Sequence, residues 1–286
     1  MTRMKVDEFQ DIIYEKEDNG IVTVTLNIPE RKNAMSQITF LELWYAIDAM
    51  EKDRSTKIMI ITGKGDAFSS GGYFNLKMFE MIPPELKKEI DITDIAQKKL
   101  CLKFWNFDKP VIAAINGLAV GAGFTMPLTC ADLIYMAEDA WIGLYFVKRA
   151  IVPEFATTWL LPFLLGFQKA KELIYFGDKI TAQEAYEMGL VNKVLPKDEL
   201  MNYAREQALR LIPPKGPSLS IKWMKRTLHR PLIDLVSKQL DLENKALNKL
   251  ATSADFSESI KALKEKREAV FKGKSVSYTH LTLPTN

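Results

Sequence analysis

The chain has 286 residues, 47% of them apolar and 26% charged, with a formal net charge of +3. That composition is ordinary for a globular protein with a large core, and the charge is too small to point to nucleic acid or an anionic membrane. Two cysteines, Cys101 and Cys130, stand in no CxxC pairing, which argues against a disulfide framework or a zinc site and fits a reducing compartment.

The first strong element is IVTVTLNI (21–28), which alternates apolar and polar residues and predicts a strand. Ser36 then opens a helix to about Lys52, with Phe40, Leu43, Trp44 and Ile47 on one face. KIMIIT (57–62) reads as a short apolar strand ending at Gly63, followed by a loop over 66–76 with Ser69-Ser70-Gly71-Gly72. A helix is predicted over 85–106, a buried strand at PVIAAIN (110–116), and a glycine turn from Gly117 to Gly123 that runs into a helix through about Ala131. LIYMA (133–137) is another strand.

After that the pattern turns helical. Leu160 to Leu165, Gln168 to Phe176 and Ala182 to Met188 are short helical pieces, and VNKVL (191–195) is the last predicted strand. Residues 198–212, 217–228, 231–252 and 256–270 are expected to be helices. Interleaved strands and helices followed by helices alone imply an α/β core with an α-helical C-terminal region. The expected boundaries are 1–200 for the core, 201–274 for the helical region and 275–286 for the tail.

That tail, SVSYTHLTLPTN, abandons the charged helical pattern that ends in FKGK, and it is expected to be a non-native read-through. Setting it aside removes His280 and leaves His229 as the sole histidine. The N-terminus, MTRMKVDEFQ, has no hydrophobic signal core, and no apolar run reaches the ~18 residues of a membrane span, so a cytoplasmic protein is expected.

Several chemistries are disfavoured. GxSxG and GxxxxGK[ST] are absent, and the glycines at 117, 121 and 123 are in the wrong order for a dinucleotide fingerprint. No HxxxH or clustered Asp/His set suggests a metal, so no metal ligand is expected. What remains is two glycine-rich turns, AFSSGGYFNL (67–76) and NGLAVGAGF (116–124), each following an apolar strand. Either could be plain turn chemistry. Together, their small residues let a ligand approach the backbone, and N–H donors from both could converge on one oxygen.

PERKNAMS (29–36), AFSSGGYFNL, KPVIAAINGLAVGAGF (109–124), CADL (130–133), a Pro-Glu turn at 153–154 and TAQEAYEMGLVNKV (181–194) together resemble the crotonase (enoyl-CoA hydratase/isomerase) superfamily from about residue 9 to 274. The resemblance implies a spiral of ββα units with an α-helical C-terminal region, assembled as a homotrimer or a dimer of trimers. It implies an acyl-CoA substrate, with coenzyme A as part of that substrate and no permanently bound cofactor. The backbone N–H groups of Gly72 and Ala122 would hold the thioester oxygen. Lys32, Ala34, Ser70, Gly71 and Lys266 would contact CoA, with Lys32 near its phosphates.

The family's hydratases carry two glutamates, and the matching positions here are Thr125 and Phe146. Glu154 sits where a different branch, including Δ3,Δ2-enoyl-CoA isomerases, keeps a single acid after a proline. The same Pro-Glu pair also fits the first turn of a helix, with the carboxylate at the dipole's positive end. An apolar surround such as Phe155, Trp159 and Leu160 favours a raised pKa and a proton-transfer role. Isomerisation of an enoyl-CoA is thus the first expectation. Hydration of a 2-enoyl-CoA by Glu154 alone is the second, and a non-catalytic acyl-CoA or RNA binder comes from another class.

Tyr73 is expected to shape the acyl pocket or to pack, and Met78, Phe79 and Met81 to be core or to line an acyl tunnel. The basic run Lys222, Lys225, Arg226, His229 and Arg230 reads as a solvated face, with nucleic acid an unfavoured partner.

Overall fold

The computed structural model describes residues 4–73 and 98–273. A 3₁₀ turn at Val6–Glu8 leads into β1 (Ile12–Lys16) and β2 (Ile21–Leu26). A second 3₁₀ turn, Pro29–Arg31, precedes α1 (Gln37–Lys52), β3 (Ile58–Gly63) and β4 (Ala67–Ser69). From residue 98 onward come α2 (Leu100–Asn106), β5 (Val111–Ile115), β6 (Leu118–Val120), α3 (Ala122–Cys130), β7 (Leu133–Ala137) and β8 (Trp141–Gly143). Next are a 3₁₀ turn at Val147–Arg149, α4 (Thr157–Leu165), α5 (Phe167–Phe176), β9 (Lys179–Thr181), α6 (Ala182–Glu187) and β10 (Lys193–Leu195). Four helices follow: α7 (Leu200–Leu211), α8 (Ser218–His229), α9 (Ile233–Ala251) and α10 (Ala254–Glu265).

Among the described residues, two sheets run through the molecule. One has the order β1-β2-β3-β5-β7-β10 and the other β4-β6-β8-β9. The chain alternates between them: β3 then β4, β5 then β6, β7 then β8 each give one strand to the first sheet and one to the second. The second pair is closed by α3, and the third leads on to α4. This repeated strand–strand–helix step is a spiral. Among the described strands of the first sheet, β1 alone is antiparallel to its neighbour. Every residue of β3 and β5 is buried, as expected for parallel strands covered on both faces. α7 packs on β3, β5 and β7 and closes one side of that sheet.

The long elements match their sequence patterns. Ser36 caps α1 as expected: its hydroxyl accepts the Thr39 N–H at 3.3 Å, and Thr39 Oγ1 accepts the Ser36 N–H at 2.9 Å. The short strands differ from expectation. β4 and β6 lie where a loop and a turn are predicted, and β8 and β9 have no sequence signal. Three residues are too few to display a period of two. The expected helix over 85–106 is described only from residue 98, and Met78, Phe79, Met81 and the 275–286 tail lie outside the described residues.

The basic run of α8 is a correction. Lys225 is buried, and its Nζ donates to Asp132 Oδ2 at 2.7 Å and to the Lys109 carbonyl at 3.0 Å. Lys222 and Arg226 both pair with Asp108. Of this run only Lys225 is buried, while Lys222 and Arg226 stay partly exposed in their pairs with Asp108. Cys101 and Cys130 are buried free thiols.

Candidate active site

The two glycine-rich turns meet because of a strand register. β4 pairs in parallel with β6, with Ser69 opposite Ala119. Three residues further along each chain stand Gly72 and Ala122. The approach is closer than side chains permit. A Cβ on Gly71 would lie 2.5 Å from the Val120 carbonyl oxygen, and one on Gly123 would lie 2.3 Å from the Ser69 carbonyl oxygen. Gly71 also has φ +95°, a conformation that side chains rarely adopt.

The backbone donors are then directed. Met35 N–H donates to the Gly71 carbonyl at 2.8 Å, and Tyr73 N–H donates to the Met35 carbonyl at 2.8 Å. The Gly71 carbonyl and the Gly72 N–H belong to one trans peptide and point in opposite directions, so the Gly72 N–H faces away from Met35. Ala122 is the first residue of α3, and the Phe124 and Thr125 N–H groups take the Gly121 carbonyl. The Ala122 N–H is therefore one of the helix's free N-terminal donors, at the positive end of its dipole.

Gly72 and Ala122 line one cavity of about 460 Å³ together with Ser70, Gly71, Tyr73, Tyr145, Phe146 and Glu154. Met35, Phe40, Ile151, Leu247 and Leu263 make much of the remaining wall apolar. Five of the predicted site residues thus come together: Gly72, Ala122, Glu154, Ser70 and Gly71. Lys32, Ala34 and Lys266 are not among the lining residues. Lys32 is exposed in a left-handed conformation, φ 53°, and its carbonyl accepts the Ser70 N–H at 2.9 Å. Ala34 is buried, and Lys266 is exposed at the end of α10, three residues after the wall residue Leu263. The segment carrying Lys32 is fastened to the cavity's edge by Ser69 Oγ, which donates to the Asn33 carbonyl at 2.7 Å, and by Ser70 Oγ, which donates to the Arg31 carbonyl at 3.2 Å.

Glu154 is half-buried in the cavity wall. It does not begin a helix. α4 starts at Thr157, with Ala156 as its N-cap, and Glu154 stands in the turn before it. Phe155 and Ala156 are both left-handed, with φ 59° and 57°. Such backbone strain concentrates at functional sites. Phe155 is wholly buried, its ring 6.0 Å from that of Phe40.

At the two positions that the family resemblance matches to the hydratase acids, Phe146 fills cavity wall and Thr125 is buried outside the lining. Tyr73 also lines the cavity, with the Arg31 guanidinium 4.6 Å from its ring centre.

Two charged residues here escape sequence reasoning. Arg149 lines the cavity, and burial lowers its pKa. Glu243 of α9 accepts the Ala156 N–H at 2.8 Å and the Thr158 N–H at 2.9 Å, directly behind the Glu154 turn. Burial pushes its carboxyl up to about 7, the donors from Thr158 and Ala156 oppose this, and repulsion from Glu154 adds to it. In the sequence Glu243 is one charge among several in an amphipathic helix, and nothing local distinguishes it.

A profile of the family described as enoyl-CoA hydratase/isomerase matches residues 16–274. The chain belongs to the enoyl-CoA hydratase/isomerase family. It is 32% identical over 261 residues to the short-chain-enoyl-CoA hydratase of Clostridium acetobutylicum, covering 91% of this chain and 97% of the relative. It is 28% identical over 264 residues to the 1,2-epoxyphenylacetyl-CoA isomerase of Escherichia coli, covering 92% and 99%. The crystal structure of an enoyl-CoA hydratase/isomerase from Pseudoalteromonas atlantica superposes with a TM-score of 0.79 at 27% identity, covering 92% of this chain and 100% of that one. The ββα spiral is accordingly the crotonase fold, and the chain is a crotonase-type enzyme of a family that acts on CoA thioesters.

Proposed function

We propose that this enzyme moves the double bond of a 3-enoyl-CoA to the 2-position, with Glu154 as its single proton carrier. The observation that carries the reading is one cavity wall holding Gly72, Ala122 and Glu154, with Phe146 where a hydratase needs an acid. The thioester oxygen accepts from the Gly72 and Ala122 N–H groups. The Glu154 carboxylate takes a proton from C2, and the electron pair passes into an enolate whose oxygen the two donors stabilise. One such donor is typically worth about 10²–10³ in rate. The same carboxyl returns the proton at C4, so the 3,4 double bond becomes a 2,3 double bond with no change in composition. No water and no second acid are required.

CoA contacts fall to Lys32 and Lys266 on this reading, with Ala34, Ser70 and Gly71 along the pantetheine. The exposed apolar side chains of α8, Leu219, Trp223 and Leu228, support assembly into a trimer, in which they would be covered. Hydration by Glu154 alone is the second reading, and the hydratase names of relatives favour it over a binding role.

Glu154→Gln tests the assignment. The variant should bind hexanoyl-CoA with unchanged affinity by calorimetry while kcat falls by roughly 10²–10⁴, the usual worth of a general acid–base. Full turnover by Glu154→Gln would remove Glu154 from the chemistry.

A further inference from the structure

We propose that Glu243 is a positioning residue for Glu154: its carboxylate clamps the peptide groups just after Glu154 and so fixes where the Glu154 carboxyl stands. This rests on the reading of Glu154 as proton carrier. α4 begins without a local cap, because Ala156 has no side-chain oxygen and is left-handed. The N-terminal donors of a helix need acceptors. Here α9 supplies one from far along the chain, and Glu243 receives the N–H groups of residues 156 and 158.

Thr158 completes the clamp. Its hydroxyl accepts from Gln239 Nε2 at 2.7 Å, so its own proton goes to Glu243 Oε1 at 2.5 Å. Three donors therefore converge on Glu243, which favours its charged form. The arrangement is costly. Glu243 is 4% exposed, and among the described residues no Lys, Arg or His forms an ion pair with it. A serine cap at the start of α4 would supply a side-chain acceptor with no buried charge. The site instead spends a buried carboxylate and two consecutive left-handed residues on one turn, the turn that carries Glu154.

The titratable groups facing Glu243 are Glu154 from the loop before α4 and Cys101 from α2. On the cavity side, Arg149, Tyr73 and Tyr145 share the wall with Glu154. Repulsion from Glu154 is the smallest of the influences on the Glu243 carboxyl.

The test is carbon-13 NMR of the full chain with labelled glutamate carboxyls, the Glu154 signal being the one missing in Glu154→Gln. Glu243→Gln should move the Glu154 midpoint, since the turn that places its carboxyl loses its clamp. It should also lower kcat with 3-hexenoyl-CoA by roughly tenfold or more, with KM changed by less than about threefold. Glu42→Gln, which removes a comparable buried carboxylate elsewhere, should move neither. An unmoved midpoint with unchanged kcat, or equal losses in both variants, overturns the proposal.

If Glu243→Gln does not fold, Thr158→Val deletes one donor and keeps the charge. It should lower kcat by roughly threefold or more, and an unchanged kcat contradicts the clamp. The midpoint is read without substrate. A wild-type protein inert toward 3-hexenoyl-CoA whose Glu154 still responds to Glu243→Gln would sink the isomerase reading and leave the positioning role standing.

Discussion

Two buried glutamates in this molecule are built alike and hold different things. Glu42 of α1 accepts the N–H groups of Gln10, Asp11 and Ile12 at 2.7, 2.9 and 3.0 Å. Glu243 of α9 accepts from Ala156, from the Thr158 N–H and from the Thr158 hydroxyl. In both, burial is the largest influence and pushes the carboxyl up to about 7. Glu42 ties the start of β1 to α1 and stands outside the cavity lining. Glu243 ties the turn behind Glu154. The same clamp is thus architecture in one place and preorganisation in the other, and only its position relative to the cavity decides which.

The largest effect should come from spoiling the cavity while leaving both clamps intact. Gly71→Ala introduces a Cβ 2.5 Å from the Val120 carbonyl at φ +95°. It should push the two donor-bearing turns apart and lower kcat by about 10²-fold, the scale of a 1 Å misplacement. Steady-state kinetics on folded protein checks this.

Removing each clamp comes next. Glu42→Gln and Glu243→Gln should each cost about 1–3 kcal/mol in urea unfolding, because buried donors lose their acceptor. Only Glu243→Gln should also lose turnover. Equal kinetic losses would erase the comparison.

The pH dependence of stability separates the clamps from ordinary ion pairs. Glu42 has its pKa raised by folding from 4.5 to about 7, so the folded state holds the extra proton between those values. Its contribution is therefore full below about 4.5 and declines as pH rises through 7, by up to about 3 kcal/mol. Glu258, lowered to about 2 by its Arg267 partner, contributes in the opposite sense, above its unfolded value and lost as pH falls through about 2. Between pH 5 and 8 the stability of Glu42→Gln should fall less than that of the parent, as chemical denaturation at each pH would show. The smallest effect belongs outside both regions: Lys32→Ala should raise KM for the CoA thioester about threefold with kcat unchanged.

Much of this was legible in the sequence. Long apolar or alternating runs gave β2, β3, β5, β7 and α1 nearly to their ends, because period and capping are local properties. Gly72, Ala122 and Glu154 were legible through the pattern of their turns and through resemblance. What stayed hidden is non-local. The strands β4 and β6 are three residues each and exist through the register that joins the two glycine turns. Glu154 looked like a helix start because Pro-Glu usually is one, and the left-handed Phe155 and Ala156 that delay α4 carry no glycine to announce them. Glu243 and Arg149 gain their meaning from burial beside a cavity that residues far apart in the chain create.

The central claim is that one carboxylate, opposite two backbone donors, suffices to move a double bond. The most direct measurement is mass spectrometry of 3-hexenoyl-CoA and, separately, 2-hexenoyl-CoA after incubation with the purified protein in D₂O. Conversion of the 3-enoyl to the 2-enoyl thioester without addition of water is the predicted result. Rapid formation of a 3-hydroxyacyl product from the 2-enoyl, with the 3-enoyl left unchanged, would contradict it and make the protein a hydratase that works with Glu154 alone.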